Sequence, residues 1–220
     1  MFKKILYILL CIAVFVGLNT NSIKNYGKKP LVFSDLTDSF AWAKPAVDEL
    51  SAIGAIGGIA EGIFAPTLNV SKEQLAKMLT LCLSVSTTES SAQTFIDVPT
   101  DRWSYKYIEA ASKYFPTNSD YPINEFKPEL LCTRELFAVT VAKALGLEPI
   151  DSAYLDENFK DADGSSPDWK GLLSAAAKAN ILSGSDGFLY PQNNVIFLPF
   201  LGLFLLFQFQ IILLLHCHNI

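Results

Sequence analysis

The chain has 220 residues, half of them apolar, with 17 Lys and Arg against 22 Asp and Glu and a net charge of −5. That length fits one compact domain or a few small repeats, and the acidic balance excludes the basic face that neutralising a nucleic-acid backbone requires. The two histidines, His216 and His218, stand at the C-terminus, and the four cysteines (Cys11, Cys82, Cys132 and Cys217) show no CxxC spacing, so the body offers neither a His-activated nucleophile nor a zinc set.

The N-terminus begins Met1-Phe2-Lys3-Lys4, continues as an apolar run from Ile5 to Leu18, and turns polar at Asn19-Thr20-Asn21-Ser22. A positive start, a short apolar middle and small polar residues after it read as a secretory signal peptide over residues 1–22. The alternative is an uncleaved membrane anchor, although 14 apolar residues are few for a span.

Beyond it the sequence repeats itself three times. Phe33-Ser34-Asp35, Phe95-Ile96-Asp97 and Phe159-Lys160-Asp161 open the copies, at spacings of 62 and 64 residues. A tryptophan follows each opening (Trp42, Trp103, Trp169), and each copy later carries Phe64-Ala65-Pro66, Phe126-Lys127-Pro128 or Leu189-Tyr190-Pro191. Three landmarks in fixed order at a near-constant period signal a repeat architecture. The boundaries are 33–85, 95–147 and 159–195.

In copy one, Trp42, Ala46, Val47 and Leu50 form an apolar stripe at helical spacing, ended by Gly54. The Gly57-Gly58 and Gly62 loop lacks a following GK[ST] and is no phosphate loop. A second helix opens at Ser71, which with Gln74 has capping-box spacing, and Glu73 suits the positive end of the helix dipole. Its stripe is Leu75, Leu79, Cys82 and Leu83. Copy two repeats the pattern with Trp103, Tyr107, Ile108 and Ala111, then Thr133 as N-cap before Arg134-Glu135 and a stripe of Phe137, Val141, Ala144 and Leu145. Copy three has Trp169, Leu173, Ser174 and Ala177, with Asn180 where copy one has Gly54. The fold class expected is all-α, with three helix–loop–helix repeats sharing one core, because two helices of this size bury little alone.

The third copy lacks its second helix. From Val195 to Leu215 the chain is apolar on every helical face, interrupted by Pro199, Gly202, Gln208 and Gln210. Its length suits a membrane span, but no Lys or Arg follows it. Segment 196–215 therefore reads as a frameshifted end of the third repeat or as a membrane span.

These residues resemble the S-layer homology family. Its pattern runs F-x-D, W-A, a glycine loop ending in F-x-P, and [IV]-T-R-A-E at the second helix. Copy one matches at Phe33, Asp35, Trp42-Ala43, Gly54, Gly58, Gly62, Phe64, Pro66 and Val70-Ser71-Lys72-Glu73. Copy two keeps Phe95, Asp97, Trp103 and Thr133-Arg134-Glu135 but has Pro116-Thr117-Asn118-Ser119-Asp120 in place of the glycine loop. Copy three keeps Phe159, Asp161, Trp169, Gly184, Asp186-Gly187 and Pro191. The resemblance implies a pseudo-threefold bundle, incomplete in its third repeat, whose inter-repeat grooves bind secondary cell-wall polysaccharide or a peptidoglycan-linked glycan, often pyruvylated. It implies an exported, wall- or S-layer-associated anchor, with Arg134 and more loosely Lys72 as ligands of the glycan's anionic group.

Arg134 suits that role, because a guanidinium grips a carboxylate with two hydrogen bonds and a helix N-terminus favours anions. Trp42 and Trp103 are candidates for sugar stacking or for core packing. Asp35 and Asp97 are candidates for sugar hydroxyls or for capping the first helix. No catalytic residue, cofactor or metal is expected. The rivals are a membrane-tethered interaction module, with membrane contact through 196–215, and a cell-wall glycosidase, for which paired carboxylates can be found but no separate catalytic domain remains.

Overall fold

The computed structural model describes residues 29–87, 93–117 and 124–197. The expected signal peptide (1–22) and residues 198–215 of the hydrophobic segment lie outside the described residues. Among the described residues the regular elements are helices, and β pairing is limited to five isolated single-residue bridges.

The helices form where local chemistry starts and stops them. Helix α1 (Lys44–Ala52) follows a 3-10 segment, Asp38–Ala43, carries Pro45 in its first turn, and buries Ala46, Val47 and Leu50. Gly54 ends it at φ +76°, a conformation that glycine adopts without strain. Helix α2 (Lys72–Cys82) opens with the expected capping box: Ser71 Oγ accepts from Gln74 N and Gln74 Oε1 accepts from Ser71 N. Helix α3 (Tyr105–Ala111) continues into a 3-10 turn, Ser112–Tyr114. Helix α4 (Arg134–Ala144) is capped by Thr133, whose hydroxyl accepts from Leu136 N. The short helix α5 (Ala153–Asn158) was not anticipated; Asp151 caps it through Ala153 N, and Leu155 is its buried residue. Helix α6 (Lys170–Lys178) buries Leu173, Ser174 and Ala177 and ends at Asn180, φ +59°.

Packing joins neighbouring repeats. The second helix of one repeat lies against the first helix of the next: α2 on α3, and α4 on α6. One continuous core runs through all three copies and includes Leu50, Phe64, Leu79, Ile108, Phe126, Phe137, Leu155, Leu173 and Leu189, each such burial contributing about 1.5–3 kcal/mol. Cys132 is fully buried, while Cys82 reaches only the margin of the core.

The extended segments just before the second helices meet one another. Val70 N donates to Val195 O, Val195 N to Cys132 O, and Cys132 N to Val70 O, each at 2.8 Å, which closes a cycle of three equivalent positions. Around it lie three matching bridges, Ser71 with Leu131, Thr133 with Asn194, and Asn69 with Ile196. The repeat pattern thus continues past Val195, and Phe197 N donates to Leu68 O as the third member of a set with Lys72 N to Leu130 O and Arg134 N to Asn193 O.

The tryptophans diverge. Trp42 and Trp103 are 59% and 51% exposed and take no part in the core, whereas Trp169 is 4% exposed. The remaining stripe members face the core apart from Tyr107, which accompanies Trp103 at the surface. Trp169 lies eight residues after Asp161, against seven for Trp42 after Asp35 and six for Trp103 after Asp97.

Candidate functional site: the grooves between repeats

In each repeat the opening aspartate closes the later Phe/Leu-x-Pro turn. Asp35 accepts from Phe64 N and Ala65 N at 2.9 and 2.6 Å, Asp97 from Phe126 N and Lys127 N at 2.8 and 2.6 Å, and Asp161 from Leu189 N and Tyr190 N, both at 2.7 Å. The second residue of each pair has a positive φ: 60° at Ala65, 55° at Lys127 and 55° at Tyr190. Two charge-assisted bonds hold a conformation that costs a side-chain-bearing residue of order 1 kcal/mol or more. Burial works to raise the Asp35 carboxyl, but the backbone N–H groups of Phe64, Ala65 and Asp35 itself together outweigh it and hold it below its ordinary range. None of the three caps the first helix of its repeat; the carboxylates reach a turn 28 to 30 residues further on instead.

Beside these turns lie the two cations, each reaching from one repeat into the next. Lys72 is 2% exposed; its ammonium donates to Phe126 O at 2.7 Å and lies 4.4 Å above the Phe126 ring and 5.5 Å from that of Phe115. Burial pulls it down from 10.5 to about 8, against the attraction of Cys132 and Asp97. Arg134 is half-buried, and its Nε donates to Leu189 O at 3.1 Å and its Nη2 to Ser183 O at 2.8 Å. Burial lowers it too, countered by Asp161. Neither is a solvated surface cation. Lys72 feels the charge of Asp97 between repeats one and two, and Arg134 that of Asp161 between repeats two and three; the two cations serve different grooves.

The helix N-termini do not supply anion donors as the sequence suggested. At α4, Arg134 N donates to Asn193 O, Glu135 N to Pro191 O and Leu136 N to Thr133 Oγ1. At α2, Lys72 N donates to Leu130 O, Glu73 N to Pro128 O and Gln74 N to Ser71 Oγ. The first-turn amides are engaged by the following repeat and by the caps, so an anion here meets the side-chain cation. A guanidinium whose Nε and one Nη are fixed by carbonyls presents its remaining N–H groups in a set direction.

The glutamate after each cation does more than face a helix dipole. Glu73 accepts from Arg102 Nε and Nη2 (2.8 and 3.0 Å) and from Ser104 Oγ; Arg102 also binds Glu129. Glu135 accepts from Ser166 N, Ser166 Oγ and Gln192 Nε2. Both glutamates tie their repeat to the next one. The hydrogen bonds that Arg102 donates to Glu73 are the first cause holding its guanidinium charged. A shallow cavity of about 360 Å³ opens beside the first groove, lined by Asp97, Arg102, Lys127, Pro128, Glu129 and Leu130.

Trp103 stands outside the groove with Tyr107, ring centroids 6.5 Å apart, and Lys77 lies 5.9 Å from its centroid. Trp42 is exposed next to α1. Sequence reasoning missed Phe188 and Tyr190, stacked at 5.7 Å beside the Arg134 carbonyl acceptor Leu189. It also missed Phe197, which the register alone identifies: it stands 63 residues after Arg134 and 125 after Lys72. Among the described residues no three His, Cys, Asp or Glu side chains converge on a metal position, and no helix is long and apolar enough to cross a membrane.

The S-layer homology domain family matches the chain over residues 32–76 and 158–196, which takes in parts of the first and third repeats. Similar proteins include S-layer protein EA1 of Bacillus anthracis, 30% identical over 120 residues, which covers 54% of this chain and 14% of that protein. An S-layer protein of Bacillus licheniformis is 29% identical over 160 residues (70% of this chain, 17% of that one). An endoglucanase of Bacillus sp. (strain KSM-635) is 28% identical over 198 residues (86% and 20%). The chain therefore spans between 14% and 20% of the length of these relatives.

Proposed function

The chain carries S-layer homology domain sequence in its first and third repeats, and on that premise we propose that it is the wall-anchoring part of an exported protein, holding it non-covalently to the bacterial cell envelope. The ligand is a secondary wall polysaccharide with an acidic substituent such as a pyruvate ketal, bound in the grooves of a pseudo-threefold bundle. The closed cycle of Val70, Val195 and Cys132 supports that arrangement. The observation that carries the reading is Arg134: a half-buried guanidinium aimed by Leu189 O and Ser183 O into the space between repeats two and three. A carboxylate there gains charge-assisted bonds in a partly desolvated place. Tyr190, on its stacked partner Phe188, supplies an apolar face for a sugar ring. Lys72 acts as a weaker point charge in the first groove. Trp103 and Trp42 contribute stacking from outside the grooves, and Asp35 and Asp97 act by holding the groove turns.

The resemblance to S-layer proteins and to an endoglucanase alike supports an anchoring segment common to proteins of different activity. Co-sedimentation with purified wall glycan tests it. Arg134→Ala should lose about 1.5–3 kcal/mol of binding, roughly ten- to a hundredfold, with unchanged circular dichroism. Equal binding by the folded variant and the wild type would refute the assignment.

A further inference from the structure

Positions 72, 134 and 197 are the same place in three repeats, fixed by one backbone bond each: Lys72 N to Leu130 O, Arg134 N to Asn193 O, and Phe197 N to Leu68 O. Each faces the turn of another repeat. In the third case the facing side is built like that opposite Arg134. A Cβ on Gly58 would strike the Ile63 carbonyl and meet the Phe33 ring, and one on Gly184 would strike the Phe188 carbonyl and meet the Phe159 ring. Asp35 holds Phe64 and Ala65 as Asp161 holds Leu189 and Tyr190. The difference lies in what faces the turn. The Phe197 ring, 6% exposed, packs edge-on to Phe64 at 5.5 Å, where in the first groove the Lys72 ammonium covers Phe126 at 4.4 Å.

We infer that Phe197 closes the third groove to the acidic glycan and so sets how many anionic sites the chain offers. The inference rests on the reading that the Arg134 groove takes the glycan's carboxylate. A phenyl ring offers no N–H to a carboxylate, and the Asp35 carboxylate, bound by the Phe64 and Ala65 amides, repels one. Desolvating an anion there is uncompensated. An arginine at 197 is placed to find Phe64 O and Gly57 O, the counterparts of Leu189 O and Ser183 O, and so to complete the groove.

The test uses the full chain and a methyl hexoside bearing a pyruvate ketal as probe, read by calorimetry and by backbone amide shifts. In the wild type the probe should shift Gly184 and leave Gly58 unmoved. Phe197→Arg should add one binding equivalent and bring Gly58 into the response, and the gain should persist with Arg134→Ala in the same chain. A Gly58 shift matching that of Gly184 in the wild type overturns the inference, and this readout decides it even where the variant does not fold. A folded Phe197→Arg chain with no added equivalent overturns it too. If the probe leaves Gly184 unmoved and Arg134→Ala changes nothing, the groove reading itself fails, and the inference falls with it.

Discussion

Replacing Lys72 with Met keeps the length of the side chain between Phe126 and Phe115 and removes its proton. In the folded protein the ammonium gives up that proton near about 8, against 10.5 ordinarily, because it is buried. Below about pH 8 both folded and unfolded states carry the charge, and the cost of burying it is fully present; above 10.5 neither does, and the cost is gone. Between those values the unfolded chain binds more protons, so stability rises with pH, by about 2–3 kcal/mol from about pH 7 to about pH 10. The groups facing Lys72 are Asp97 and Cys132, which favour its charge, and Lys127, which opposes it. Cys132 works in the other direction: burial pushes its thiol from 9.0 up to about 12, so the folded state keeps a proton that the unfolded chain loses, and stability falls over that range. Both proteins retain Cys132, so its contribution largely cancels in the difference. Urea unfolding of wild type and Lys72→Met at several pH values should show the wild type gaining on the variant by about 2 kcal/mol as the pH rises. A difference that stays flat across that range would refute the buried, charged lysine.

Two further substitutions probe the joints of the repeats. Asp161→Ala removes the acceptor of Leu189 N and Tyr190 N and should cost about 1–3 kcal/mol in urea unfolding; because Leu189 O aims Arg134, glycan affinity should fall with it. Glu73→Ala takes from the Arg102 guanidinium its principal partner and from Ser104 its acceptor, leaving Arg102 with Glu129, and should lower stability by about 1–3 kcal/mol, with Arg102→Met in the same chain restoring part of the loss.

What the sequence discloses about this fold is what depends on short range. Ser71 with Gln74, Thr133 before Leu136, and the left-handed ends at Gly54 and Asn180 are settled within a few residues, and each appears where its residue type requires. The 62-residue register is equally legible, because the Phe, Asp and Pro landmarks answer to one turn built three times. Interactions that cross between repeats are not. Nothing near Asp35 in sequence says that its carboxylate closes a turn 29 residues on, and nothing near Arg134 says that its own amide is taken by Asn193. The exposure of Trp42 and Trp103 escapes periodicity because both stand at the same place in the helical stripe as the buried Trp169. Helix α5 escapes it because a single buried residue, Leu155, makes no stripe. Phe197 is legible by counting, but the apolar residues around it carry no mark of the register.

The cycle through Val70, Val195 and Cys132 has a consequence for how such a chain can change length. Repeats stacked in a row have ends, and one more or one fewer leaves the others in contact as before. A closed circuit has no end. Deleting one member leaves a donor on one survivor and an acceptor on the other without a mate, at the centre of the molecule where water has little access. The unit that evolution can copy, swap or attach to another protein is therefore the whole trio, and a chain cut between its repeats inherits a gap at its hub rather than a smaller working version of itself.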